Sequence, residues 1–261
     1  MADRRERPAL ERDRGGGHRS RMNAFPETRP SVIGALAGDD APARDRALDL
    51  VLRAYRGPVV EHLRHQWRLE SADAEDLAHD FFAQALERDW LARFDPAKGR
   101  FRTFLRACLR AFASTAHDAD RAQKRGGHLA FVPLDLADDM AGGMAGDLAD
   151  DAADLTFDHE WARSILALAL DALRLECDTA GRAMTFAVFA AHDVDGADAT
   201  DPPTYASLAE RFGLPVTQVA NYLHWARRRF RAHVLDTLRA LTASDAEYRD
   251  EVRTLIGREP S

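Results

Sequence analysis

The sequence predicts an all-α protein of two helical domains joined by an acidic flexible linker. Three observations predict it. Apolar residues recur at helical spacing from Ser31 almost to the end of the chain. No stretch alternates with the two-residue period of a strand, and no internal repeat is present. Between two such helical blocks, residues 135–160 hold nine acids and no Lys or Arg, with Gly142, Gly143 and Gly146 among small residues.

Residues 1–30 are rich in Arg, Gly and Pro (Arg14-Gly-Gly-Gly-His-Arg-Ser-Arg21) and lack apolar periodicity, so they read as a disordered basic tail, with Met22 as an alternative start. The first domain is expected over 31–128. Val32, Ile33 and Leu36 open it. Leu48, Val51, Leu52 and Tyr55 form an apolar stripe that continues past Pro58 through Val59, Val60, Leu63 and Trp67. The next helix starts near Ser71 or Asp73, with acids in its first turn where they favour the helix dipole, and its stripe runs Leu77, Phe81, Ala85 and Leu86. A Pro/Gly loop, Phe94–Arg100, precedes a helix whose apolar face is Phe101, Phe104, Leu105, Cys108, Leu109 and Phe112. The linker is expected over 129–160 and the second domain over 161–241, with a tail over 242–261 that holds a short helix at Ala246–Ile256. Within 161–241, Leu208, Ala209 and Phe212, a break at Gly213, and then Val219, Leu223, Ala226 and Phe230 make the pattern of a helix-turn-helix.

The composition, 46% hydrophobic and 30% charged, is that of a globular protein. The N-terminus lacks the apolar core of a secretory signal, no apolar run approaches bilayer length, and Cys108 and Cys177 have no CxxC spacing. These features predict a cytoplasmic protein without disulfides, zinc or another cofactor, and no membrane contact. Charge is distributed unevenly. The chain carries a net −7, yet residues 93–128 hold nine Lys/Arg against three acids. Arg102, Arg106 and Arg110 recur every fourth residue, on a different face from the apolar stripe, and are expected to be free for phosphates. Aromatics among these cations suit unstacked bases; Phe101 and Phe104 belong to the core stripe, which leaves Phe94 as the candidate base contact. A second basic run, Arg227, Arg228, Arg229 and Arg231, ends the helix-turn-helix without acids four residues earlier to neutralise it.

Catalytic groups are sparse. His62 and His65 share a helix face and His79-Asp80 is a further pair, but neither has a third metal ligand at recognisable spacing. Asp193-Val-Asp-Gly-Ala-Asp198 has its glycine at the fourth position and lacks the closing Glu of a calcium loop. No phosphate-cradling loop or nucleophile elbow is present. The chain is expected not to be an enzyme and to bind no metal.

Taken in order, these motifs resemble bacterial RNA polymerase sigma factors of the extracytoplasmic-function type over most of residues 31–256. Asp73-Ala-Glu-Asp-Leu-Ala-His-Asp-Phe-Phe82 looks like the family's polymerase-binding helix. Asp95-Pro-Ala-Lys-Gly-Arg-Phe-Arg-Thr-Phe-Leu105 with Arg121-Ala-Gln-Lys-Arg-Gly-Gly127 looks like the part that melts the promoter and reads its −10 element. Tyr205–Arg231 looks like the helix-turn-helix that reads the −35 element. The resemblance implies that Asp73, Asp76, Asp80 and Phe82 dock on core RNA polymerase. It implies that Phe94 and the loop hold a flipped base, while Lys98, Arg100, Arg102, Arg106, Arg110, Lys124 and Arg125 track the −10 strand. For the −35 element it implies Thr217, Gln218, Asn221, Tyr222, His224, Trp225, Arg227 and Arg228. Core polymerase and promoter DNA are the implied partners, with an anti-sigma protein as an optional third.

Three departures bear on the −35 assignment. Pro215 stands where relatives often have a Ser N-cap, leaving Thr217 to cap a later start. Ala220, Asn221 and Tyr222 stand where a basic residue usually reads bases, and Trp225 replaces a common Arg. Asn221 can still contact adenine through two hydrogen bonds. The acidic linker either imitates nucleic acid in the polymerase channel or is a plain spacer. The alternative function is a helix-turn-helix regulator that binds duplex DNA without acting as a polymerase subunit.

Overall fold

Side-chain caps start three of the helices in the computed structural model, which describes residues 31–124, 151–197 and 200–257. The described residues form nine α-helices and no strand. After the one-turn α1 (Val32–Ala35), the Asp40 carboxylate accepts a hydrogen bond from the Ala43 amide and starts α2 (Ala41–Trp67), with Pro42 in the first turn where its missing N–H costs nothing. Pro58 lies inside α2 and is buried, and the helix continues through it. Helix α3 (Ser71–Glu87) follows, then two short 3₁₀ turns at Leu91–Arg93 and Pro96–Lys98, and α4 (Phe101–Lys124).

The chain resumes with α5 (Asp151–Thr179), followed by α6 (Ala183–Phe189), a widened π-type turn over Ala190–Val194, and α7 (Tyr205–Phe212). Two further helices complete it, α8 (Val216–Ala240) and α9 (Asp245–Ile256), the latter capped by Ser244, whose hydroxyl accepts from the Glu247 amide at 3.1 Å.

Two apolar clusters form the interior. The larger joins Tyr55, Leu63, Phe81, Phe101, Leu105, Phe157 and Trp161, all at most 2% exposed, and includes Tyr248 and Val252 of α9. The smaller joins Leu173, Cys177, Val188, Phe189, Leu208, Val219 and Leu223. Burying each large side chain contributes about 1.5–3 kcal/mol relative to leaving it exposed.

Two helices run unbroken from one cluster to the other. Helix α5, about 43 Å long at 1.5 Å per residue, gives Phe157, Trp161, Ile165 and Ala169 to the larger cluster and Leu173 and Cys177 to the smaller. Helix α8 gives Val219, Leu223 and Ala226 to the smaller and Val234 and Leu238 to the larger.

The expected boundaries change accordingly. Residues 151–160, read as the end of a flexible linker, are the first turns of α5, because Ala153, Phe157 and Trp161 are buried one turn apart. The rest of the expected linker, and the expected basic tail over 1–30, lie outside the described residues. The segment read as a tail after Leu241 packs its helix into the main core.

Candidate nucleic-acid and partner interfaces

The helix-turn-helix is built by α7 and α8. Thr204 caps α7, its hydroxyl accepting from the Ser207 amide at 3.1 Å. Gly213 then turns the chain at φ +65°, a left-handed conformation that costs glycine little. The Leu214 amide donates to the Ala209 carbonyl at 2.9 Å, which closes the end of α7. Helix α8 begins directly after Pro215, so Thr217 is not its cap. Thr217 sits exposed in the first turn instead.

One face of α8 is bare. Thr217, Asn221, His224, Arg228 and Arg231 follow at steps of four and three residues and are all exposed, and their side chains make no hydrogen bond or ion pair among the described residues. Val219, Leu223 and Ala226 fill the opposite face and fix the row's direction. Tyr205, Ala220, His224, Arg227, Arg228 and Arg231 line an open depression of about 480 Å³ beside it.

The other expected −35 residues are already engaged. The Gln218 amide donates to the Tyr222 hydroxyl at 2.7 Å. Arg182 lies over the Trp225 ring at 4.6 Å. Arg227 donates to both carboxylate oxygens of Asp193, at 2.9 and 2.8 Å, and to the Tyr205 hydroxyl at 3.2 Å. The hydrogen bond to Asp193 raises the Arg227 pKa above its ordinary value.

Arg229 and His233 share the Glu176 carboxylate of α5. Burial alone would raise that carboxyl's pKa; the two hydrogen bonds outweigh it and hold it below the ordinary value. The four-arginine run therefore divides into two fastened cations, Arg227 and Arg229, and two free ones, Arg228 and Arg231. Distant acids do what no neighbour in sequence could.

The Asp193 loop serves this arrangement. A Cβ on Gly196 would lie 2.5 Å from the His192 carbonyl oxygen, so only glycine lets the loop fold back and present Asp193 to Arg227. Among the described residues no group of three His, Cys, Asp or Glu could share a metal ion, and no helix is long and apolar enough to cross a membrane.

On α3, Asp73, Asp76 and Asp80 are exposed along one face with Glu87, and none has a cationic partner among the described residues. Phe82, expected beside them as a docking residue, is 5% exposed and packs against Phe81 with ring centres 5.1 Å apart; it belongs to the core. Phe94 is half-buried, edge-on to Phe101 at 5.2 Å and near Phe104 at 5.4 Å, so it leans on the core beneath the loop and is only partly exposed.

The largest departure from expectation is the arginine row of α4. Arg102 is 6% exposed, clasped by Glu251 of α9 (Nη2–Oε2 2.8 Å), paired with Asp158 at 2.7 Å, and stacked on Trp161 at 4.5 Å. Arg106 pairs with Asp154 at 3.5 Å and Asp158 at 3.4 Å, and Arg110 pairs with Asp154. Arg100 pairs with Asp250 at 3.0 Å. Lys98 alone of these expected contacts is exposed and unpaired among the described residues. Lys124's side chain and Arg125 lie outside the described residues.

Glu247 adds a cap from α9 to α4. Its carboxylate accepts from the Phe101 amide at 2.7 Å and from Ala243 at 2.8 Å, placing negative charge at the α4 N-terminus. The sequence carried a signal for the Asp154 and Asp158 pairing. These acids repeat every fourth residue, the same interval as the arginines they meet.

The histidines divide by burial. His62 is fully buried, its Nδ1–H donating to the Ala153 carbonyl at 3.2 Å while Nε2 has no partner. His65 and His79 are exposed. Burial pushes the Cys108 thiol up to about 12, which leaves it inert. The described residues thus present an exposed acidic row on α3, a carboxylate-covered arginine row on α4 and a bare face on α8. No family model matches the chain, and neither a characterised protein nor a solved structure does so.

Proposed function

We propose that this chain is a bacterial sigma factor of the extracytoplasmic-function type, which carries core RNA polymerase to promoters and helps open them. The observation that supports it best is the presence in one chain of two unpartnered faces of different character. Asp73, Asp76 and Asp80 on α3 suit a basic protein surface, and Thr217, Asn221, His224, Arg228 and Arg231 on α8 suit the major groove and its flanking phosphates. In this reading α3 docks on polymerase, α8 reads the −35 element, and α4 with the loop before it engages the −10 strand. The two modules of a sigma factor then correspond to the two apolar clusters. The polymerase performs the chemistry, and the protein acts in the cytoplasm beside the chromosome.

The α8 row together with the occupied α4 arginines favours a second reading, a duplex-DNA regulator that binds operators by itself. Binding to core polymerase separates the two. Replacing Asp76 with Lys puts a cation on an exposed position of α3 and leaves the core untouched. A sigma factor loses polymerase affinity tenfold or more on this change, in a binding titration, with its helical circular dichroism unaltered. Undiminished affinity would sink the docking assignment, and no affinity in the parent protein would favour the regulator.

A further inference from the structure

We propose that the arginine row of α4 is a strand-binding surface held shut by the chain's own carboxylates, with Asp154 and Asp158 standing where the phosphates of nucleic acid would sit. The inference rests on the reading of α4 as the strand-binding helix, and it adds a built-in competitor to that site.

The geometry grades the row. At one end Arg102 and Glu251 have side chains 8% and 2% exposed, with Trp161 stacked beneath, so this pair is an anchor that stays in place. Separating two buried ions is too costly for routine exchange. Further along, Arg106 and Arg110 are 17% and 27% exposed, and Asp154 and Asp158 are 22% and 39% exposed. Ion pairs that water reaches are weak and exchange readily.

The two rows run antiparallel. Arg102 and Arg106 meet Asp158, and Arg106 and Arg110 meet Asp154. Four residues of helix rise about 6 Å, so each carboxylate lies one turn from the next and bridges two guanidinium groups. The cations are thus arranged for a row of anions at regular spacing. The Nε–H of Arg110 remains buried without an acceptor, a donor that the present anions do not satisfy. A phosphate carries more acceptor oxygens than a carboxylate and would compete for the same guanidinium groups.

Releasing Arg106 and Arg110 requires only that the Asp154 and Asp158 side chains swing off them, because Ala153, Phe157 and Trp161 keep the first turns of α5 in the core. In the free protein the acids suppress non-specific strand binding. A promoter strand presented at high local concentration displaces them.

The experiment uses the full chain and a fluorescein-labelled 20-nucleotide oligothymidylate, read by anisotropy between 50 and 200 mM salt. These values sit in the range where phosphate contacts dominate affinity. The test variant is Asp154→Asn with Asp158→Asn. The control is Asp171→Asn with Asp178→Asn, which removes the same charge from exposed positions further along α5. Asp158→Asn alone serves if the double variant melts early.

The expected result is an affinity roughly tenfold above both parent and control, with a log–log salt slope steeper by about 1.4, the increment for two single-strand phosphate contacts. Adding Arg106→Ala and Arg110→Ala should abolish the gain. A folded test variant that binds no tighter than the control overturns the competitor. If the parent still directs transcription with core polymerase, the sigma reading survives that loss. If it does not, both fall together.

Discussion

Arg102 is the one buried arginine among the described residues, and it meets two carboxylates and the Trp161 ring. Burial pushes the Glu251 carboxyl above the ordinary carboxylate range, while Arg102 and Arg100 pull it back. Glu251 thus relies on Arg102 and Arg100 to offset the cost of its burial. Arg102→Met or Glu251→Gln alone should destabilise by about 3 kcal/mol, because each leaves a buried charge without its main partner. The double variant should cost clearly less than the two singles together, a coupling that urea denaturation of all four proteins measures. Strict additivity would mean that the two side chains do not depend on each other.

His62 gives a pH dependence with a definite sign. Burial lowers its pKa from the ordinary 6.5, with the Ala153 carbonyl opposing and Arg110 adding to the shift. The unfolded chain thus takes up a proton near pH 6.5 that the folded chain refuses. Stability is fully present above 6.5 and falls as pH drops below it. Thermal midpoints from pH 7.5 to 5 should decline in the parent, and less in His62→Gln, which retains a donor for Ala153. Parallel curves would contradict the assignment.

Among the elements, α8 separates residues that look equivalent in sequence. Arg228→Ala and Arg231→Ala should each lower the salt slope of duplex binding by about one unit, since each removes a free phosphate-binding cation. Arg229→Ala should leave that slope nearly unchanged and lower the melting temperature instead, because Arg229 joins α8 to Glu176. Equal slopes for all three variants would refute the division.

The all-α class was legible, and so were the helix-turn-helix with its Gly213 break, the start of α3 and the passage of α2 through Pro58. Each depends on local spacing and capping. The pairing of arginines was not legible from composition, because their acids lie 34 to 150 residues away. Asp154 and Asp158 were read with the glycine-rich stretch before them as linker. Their i, i+4 interval and the Phe157–Trp161–Ile165 stripe were the signals to use. Phe82 was placed by motif position and Phe94 by its loop among cations; packing puts Phe82 in the core and leans Phe94, half-buried, on Phe101.

At the scale of the whole molecule, two apolar clusters share α5 and α8, so the acidic face of α3, the covered row of α4 and the bare row of α8 are presented by one connected set of helices. In the proposed reading the α4 row stays closed until polymerase delivers the promoter strand, which makes polymerase the deciding reagent. The most direct test is transcription from genomic fragments by core RNA polymerase with and without the protein, followed by mapping of the RNA starts. A sigma factor yields protein-dependent transcripts whose upstream sequences align at two spaced elements. Folded protein that yields no such transcripts, yet binds duplex DNA specifically by itself, would contradict that reading.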